Sequence, residues 1–374
     1  MHSHSRKKYG VLITGSNGFI GKNILLNLKT VKGLKIYKHT RNDSESSLIN
    51  KINLSDIIYH TAAEVRSKKK TDFINNNHVL TKVICESLIK KKNKTKIIFI
   101  STAQIKKKDN YGISKKMAES EVIKLNKNKK IIYKIVRLPN VFGKYAKPNH
   151  NSVVANFCFN ISREKKIYIS NKNFKLKLIY IDTVIDILIN NLNNNKSEIL
   201  NIKSDNTITL GKLAETIKNI KYLKSKNINQ SFSNQLERNL YSTYVYYLAD
   251  NKLINKFTSH IDKRGKFAEL FRNETIGQFS YFTIMPLETR GGHFHNSKIE
   301  KFIVLKGNVT FNLTDAATGK TSKIKMKDSD NTIFEIKPGI SHSITNMNND
   351  LSILLVWSNE IFDISRPDTL KYDE

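Results

Sequence analysis

The sequence predicts two folds in series: a doubly wound α/β parallel sheet over residues 7–247, then an all-β antiparallel barrel over residues 252–374. Three observations carry this. Up to about residue 250, apolar β-type runs alternate with segments whose apolar residues recur at helical spacing. Beyond it, short strand-like runs are punctuated by Gly, Asn and Asp, with little helix between them. The charge changes at the same place: residues 1–250 hold 47 Lys/Arg against 17 Asp/Glu, and residues 251–374 hold 17 against 15. The boundary falls within 240–262, and no Pro/Gly-rich linker marks it.

VLIT at 11–14 reads as the first strand, and IGKNILLNLKT after it as a helix. KIYKHT, DIIYHTA, KIIFIS and IIYKIVRL follow as further short strands of the parallel sheet. In the second part, FSYFTIMPL, EKFIVLKG, NVTFNLTD, NTIFEIKPG and LSILLVW read as strands of an antiparallel sandwich or barrel.

The 374 residues suffice for two cores. No apolar run approaches the roughly 18–20 residues of a membrane span, and MHSHSRKK lacks the apolar centre of a signal peptide. Two cysteines, Cys85 and Cys158, form no disulfide framework, so a reducing cytoplasm is expected. The net charge of +32 comes from short scattered lysine runs (Lys68–Lys70, Lys90–Lys92, Lys106–Lys108) among many asparagines. Basic and aromatic residues are not interleaved, and no zinc-finger or basic-helix pattern occurs, so a nucleic-acid partner is not expected. A positive field would favour a polyanionic substrate or cofactor.

VLITGSNGFIG places Gly15, Gly18 and Gly21 between a strand and a helix. Glycines at this spacing allow the tight turn, close approach of backbone to a pyrophosphate and close helix–strand packing, with the helix N-terminus facing the anion. The second strand ends IYKHTR, with Lys38 and Arg41 where an acidic residue would hold a ribose hydroxyl. A cationic ending suits a 2′-phosphate, so NADPH is favoured over NADH. Ser101 and Thr102 close the strand KIIFIS, and Tyr111 and Lys115 stand four apart on a helical pattern, sharing a face. An ammonium beside the phenol would lower its pKa, so that Tyr111 can pass a proton to a carbonyl oxygen held by Thr102.

TGSNGFIG, HTAA (60–63), STAQ, YGISK and RLPNVFGKY, in this order, resemble the extended short-chain dehydrogenases/reductases, a Rossmann-like family that handles nucleotide-diphosphate sugars. The resemblance implies Thr102, Tyr111 and Lys115 as the catalytic set. It implies cofactor contacts from Gly15, Asn17, Gly18, Phe19, Ile20, Gly21, Arg41, Ala62 and Ala63, with Tyr111 and Lys115, and puts Asn140–Gly143 beside nicotinamide and sugar. One departure is visible: only about 15 residues separate Arg41 from DIIYHTA, so one strand–helix unit of the usual sheet is shortened or missing.

The second part carries His293-x-His295-x4-Glu300-x6-Gly307, then Pro338-Gly339-x2-His342-x3-Asn346. Alternation along a strand sends His293 and His295 to one face, Glu300 returns on the next strand, and His342 closes the set from a later one. Three imidazoles and a carboxylate can hold a divalent metal, zinc being the simplest choice. These runs resemble the two motifs of the cupin (jelly-roll) barrel family, although Leu287 stands where the first motif has glycine and PG replaces P-x-G.

A ketone at C4 of a sugar acidifies the proton at C3, so removal and return of that proton would invert C3 before hydride fixes C4. The order of the two domains resembles a family of bifunctional capsular-polysaccharide enzymes. RLPNVFGKYAKPNHNSVVANFCFNISR, TRGGHFHNSKIEKFIVLKG and WSNEIFDISRPDT are the stretches most like it. The resemblance implies C3 epimerisation of UDP-2-acetamido-2,6-dideoxy-β-L-arabino-hexos-4-ulose in the cupin domain. NADPH-dependent C4 reduction to UDP-2-acetamido-2,6-dideoxy-β-L-talose, a capsule precursor on the UDP-L-FucNAc route, would follow in the first domain, in a homodimer. Asn140, Lys147, Asn149, Asn151 and Ser152 are the candidates for the UDP-amino-sugar pocket. The base that takes the C3 proton stays open among His295, Lys301 and Tyr281. The rival expectation is a one-step NADPH-dependent 4-reductase whose barrel is structural or binds sugar.

Overall fold

The computed structural model describes residues 9–190 and 195–372. They separate into two compact units: residues up to Lys218 with Asn234–Ala249, and Asn219–Ser233 with the chain from Asp250 onward.

In the first unit the elements run β1 (Tyr9–Thr14), α1 (Phe19–Leu28), β2 (Leu34–His39), α2 (Glu45–Asn53), β3 (Ile57–His60), α3 (Lys70–Phe73), a π-helical turn (Ile74–Val79) and α4 (Leu80–Lys90). Then come β4 (Thr95–Thr102), α5 (Asn110–Lys124), β5 (Ile131–Leu138), β6 (Asn140–Phe142), α6 (Val153–Ser162), β7 (Lys175–Tyr180), α7 (Ile181–Asn190), β8 (Glu198–Asn201), β9 (Asn206–Thr209), α8 (Leu210–Ser225), whose residues from Asn219 belong to the second unit, and α9 (Gln235–Tyr246). The main sheet has the order β2-β1-β3-β4-β5-β8, with every pairing parallel. Helices cover both faces, which is why β4 is buried at all of its positions. Successive residues divide between the two cores. Leu12, Ile58, Ile97 and Phe99 meet Leu48, Ile84, Leu88 and Val122 on one side. Val11, Ile13, Tyr59 and Ile98 meet Ile24, Leu28, Val184 and Leu188 on the other. The short spacing after Arg41 has a simple result: α2 leads straight to β3 on the far side of β1, so β2 is the sheet edge. Cys85 and Cys158 are free thiols packed in the interior.

The second unit is β10 (Ser259–Asp262), β11 (Gly265–Asn273), β12 (Gly277–Ile284), β13 (Thr289–Phe294), β14 (Glu300–Lys306), β15 (Asn308–Asp315), β16 (Thr321–Lys327), β17 (Phe334–Ile336), β18 (Ile340–Asn346), β19 (Ser352–Ser358) and β20 (Leu370–Lys371). They form two antiparallel sheets, β10-β11-β12-β19-β14-β17 and β16-β15-β18-β13-β20. Alternate residues of both, among them Phe282, Phe302, Leu354, Phe311, Met326 and Ile344, fill the space between them.

Asn346 is wholly buried at the end of β18 and knots three chain segments together. Its Nδ2 donates to the carbonyls of Ile284 (2.9 Å), Met285 (3.1 Å) and Asp350 (2.8 Å). Its Oδ1 accepts from Asn348 N and Nδ2 (both 2.9 Å) and from Ser352 Oγ (2.7 Å). Asn346→Ala strands these groups away from water and should destabilise the second unit by about 3 kcal/mol or more, read from its urea unfolding.

Candidate functional site

The glycine loop between β1 and α1 is built by backbone constraint. Gly15 has φ 67, and a Cβ there would lie 2.7 Å from the backbone of Ala62; one on Gly21 would lie 2.3 Å from Gly15 O. Phe19 and Ile20 lie beneath the loop, packed on the core. A cleft of about 520 Å³ opens over it, lined by Gly15, Asn17, Gly18, Arg41, Ala62 and Ala63 along with residues of the β2 end and α4. Lys38 does not line it. The buried Ser16 Oγ in the loop and His39 Nδ1 at the cleft have no hydrogen-bond partner among the described residues. A ribose–phosphate chain could satisfy such atoms, and the residues fit a dinucleotide.

The end of β2 carries charges of both signs in the structure. Asp43, the first carboxylate after it, turns back to Thr40 N (2.6 Å), Thr40 Oγ1 (2.8 Å) and Lys51 (3.1 Å), and the Thr40 amide leads in holding its pKa down at about 2. Arg41 is exposed and pairs with Glu64 at 3.0 Å.

Asp109 caps α5 by accepting from Gly112 N at 2.7 Å, and the helix carries Tyr111 and Lys115. The lysine does not lower the tyrosine here, contrary to the expectation from their spacing. Lys115 Nζ donates to Ile100 O at 2.7 Å and lies 4.0 Å from the Phe99 ring centroid. Burial and then the Asp109 charge push the Tyr111 phenol up to about 12, so it is a protonated donor. Burial pulls Lys115 down to about 7. Between that value and its ordinary 10.5, the unfolded chain holds a proton that the native protein has shed, so this group makes stability rise with pH across that window. Lys115→Met should flatten the rise; urea midpoints from pH 6 to 10 for both proteins, about one unit apart, measure it. Thr102, almost buried at the end of β4, accepts from Gln104 N at 3.1 Å.

Sequence reading overlooked a chain of bonds that joins the cleft to α5. Asn77, buried in the π-helical turn, accepts from Glu64 N (2.7 Å) and donates to Glu64 O (3.0 Å) and Ser114 Oγ (2.9 Å). INNNHV carries no signal for this, since the turn is set by packing.

The sugar-pocket candidates that bond within the chain make local contacts. Ser152 caps α6 through Ala155 N (3.2 Å), Asn149 holds a turn at φ 57, and Asn140 Nδ2 bonds Lys177 O at 3.2 Å. Lys147 and Asn151 are exposed. Arg66, also overlooked, ties this loop to the end of β3 by donating to Asn149 O (3.3 Å) and His150 O (3.0 Å).

In the second unit His293, His295, Glu300 and His342 do converge, with one ligand atom from each within 4.8 Å of the others. The route differs from the hairpin expected. His293 on β13 pairs directly with His342 on β18, whereas Glu300 opens β14 in the opposite sheet and faces them across the interior. Glu300 Oε2 lies 3.2 Å from His342 Nε2 and 3.4 Å from His295 Nε2. Against its burial, those imidazoles hold Glu300 well below the usual carboxylate range. Burial lowers His293 to about 4, while for His295 the Glu300 carboxylate outweighs burial and raises it. His295 Nε2 is buried without a hydrogen-bond partner among the described residues, and with three imidazoles and a carboxylate around it the set fits a divalent cation. Leu287 adopts φ 61, the conformation a glycine would take there. Gly339, at φ 80, donates to His295 O at 2.7 Å.

Two of the candidate bases are misplaced. Lys301 and Tyr281 alternate out of the core: Lys301 lies against Trp357 and pairs with Glu335 at 3.6 Å, and Tyr281 packs on Phe257. Neither shares the face that carries Glu300 and Phe302.

Residues 11–202 match the NAD dependent epimerase/dehydratase family, and residues 260–370 match the polysaccharide biosynthesis C-terminal domain. A relative from Pseudomonas aeruginosa, UDP-2-acetamido-2,6-beta-L-arabino-hexul-4-ose reductase, is 36% identical over 96% of this chain and 97% of its own. The crystal structure of capsular polysaccharide assembling protein CapF from Staphylococcus aureus is similar with a TM-score of 0.90 and 27% identity, covering 98% of this chain and 100% of that one. A UDP-glucose 4-epimerase from Thermotoga maritima shares the fold of part of the chain (TM-score 0.56, 19% identity, 63% of this chain and 98% of that one). The glycine cleft, the Tyr111/Lys115 helix and these likenesses agree, and the chain belongs to the NAD dependent epimerase/dehydratase family.

Proposed function

We propose that the chain is a bifunctional UDP-sugar enzyme. It epimerises UDP-2-acetamido-2,6-dideoxy-β-L-arabino-hexos-4-ulose at C3 in a cupin-type second unit, then reduces C4 with NADPH in the first, giving the β-L-talose product. The observation that carries this is the presence of a distinct cluster in each unit: a nucleotide cleft with a protonated Tyr111, and a His3Glu set in the second. The Pseudomonas relative's substrate, a UDP-linked 4-ulose, supplies the ketone both steps need.

For reduction, Tyr111 delivers a proton to the C4 oxygen, Thr102 holds that oxygen, and Lys115 fixes the helix face. NADPH bound over Gly15, Gly18, Ala62 and Ala63 would supply the hydride, with Arg41 reading its 2′-phosphate. Asn140, Lys147, Asn149, Asn151 and Ser152 would border the sugar nucleotide. For epimerisation, His293, His295, Glu300 and His342 would hold a divalent ion, zinc being simplest, whose charge would steady an enolate oxygen. His295 then has no nitrogen left to act as base, because Nδ1 is engaged by Asp368 O. Each subunit of a homodimer would carry both sites, in the cytoplasm.

The relative is named for reduction alone, which favours a one-step reductase with a structural or sugar-binding barrel as the second reading. Turnover of the UDP-4-ulose with NADPH in deuterated buffer separates them. Deuterium at C3 of the product supports two steps; protium at C3 with normal turnover leaves one.

A further inference from the structure

The segment after β19 returns to the strand and loop that carry the histidines of the His3Glu cluster. The loop Asn296–Ile299 joins β13 to β14, and so spans the gap between the histidines of one sheet and Glu300 of the other. Asp368 gathers that loop: its carboxylate accepts from Asn296 N (2.8 Å), Ser297 N (2.9 Å), Lys298 N (2.9 Å) and Ser297 Oγ (3.2 Å). Asn359 holds the far end, accepting from Ile299 N at 2.8 Å and donating to Ile299 O at 3.2 Å. Beyond Asp368, β20 pairs His293 with Lys371 and Phe294 with Leu370. The backbone carbonyl of Asp368 meets His295 Nδ1.

That last contact has a consequence for the ring. A carbonyl can only accept, so a hydrogen sits on Nδ1, which leaves Nε2 as the nitrogen that faces the cluster. We propose that residues 359–372 form a strap that fixes His295 in this tautomer and sets the loop beneath it, with Asp368 as the positioning residue for a cation at the His3Glu set. The inference rests on the metal reading given above, and adds to it the residue that prepares the site. Three amides converging on one carboxylate make Asp368's hold on the loop local and charge-assisted.

Asp368→Ala and Asp368→Asn in the full chain test it through zinc affinity, read by chelator competition, and the nitrogen resonances of His295 in metal-free protein. Asp368→Ala should weaken zinc about 10–100-fold and blur the Nδ1–H tautomer signal. Asp368→Asn keeps an acceptor oxygen and should fall between, which also preserves the test if the alanine variant folds poorly. Wild-type affinity with an unchanged tautomer in both variants overturns the strap. If wild-type protein takes no zinc, the metal reading fails by itself, and the metal-free tautomer signal still decides for or against the strap.

Discussion

Replacing Tyr111 with phenylalanine should cut NADPH-dependent reduction about 10²–10⁴-fold, the range of a positioned general acid, while exchange of the C3 proton with solvent continues. The physical basis is the state of the phenol. Burial, with Asp109 nearby, keeps it protonated far above neutrality, so at working pH it can only give a proton. Phenylalanine keeps the ring and its packing on α5 but removes that proton. Two assays on one sample read the result: NADPH consumption with the epimerised ketone, and deuterium at C3 of the unreduced ketone. Loss of both would mean that the two chemistries share a site, contrary to the two-step proposal. Lys115 Nζ donates to Ile100 O and the phenol is pushed up, so the tyrosine's role as donor is independent of any lowering of its pKa.

What the sequence made legible follows from how strongly each feature is constrained locally. β1, β4 and β5 are continuous apolar runs because both faces of a parallel sheet are covered, and such runs stand out at sight. The glycine loop reads equally clearly, because Gly15 and Gly21 have no room for a side chain. β16 carries no plain strand signal, because TSKIKMK is an edge strand with lysines on its open face. The His3Glu set was visible from spacing, but spacing alone could not say that β13 and β14 lie in different sheets. Asn77, Arg66 and Asp368 were hidden for a related reason. Each acts through backbone groups of a distant segment, and a side chain that bonds backbone needs no particular partner residue to betray it.

Glu300→Ala should abolish deuterium incorporation at C3, yet leave reduction of the pre-epimerised ketone within about twofold, as independent sites require. Glu300 is the one anion of its cluster, drawn between His295 and His342 from the opposite sheet. Without it three imidazoles face one another, and a cation held by them alone would lack the charge that balances it. Thermal unfolding gives a second readout free of any substrate. Zinc at a hundred times its dissociation constant should stabilise the wild-type second unit by about 2.7 kcal/mol, and Glu300→Ala should show little of that gain. C3 exchange at the wild-type rate in Glu300→Ala would remove the His3Glu set from the chemistry. The Rossmann-like unit would then remain as a reductase, and the buried imidazoles would need another account for the unpartnered Nε2 of His295.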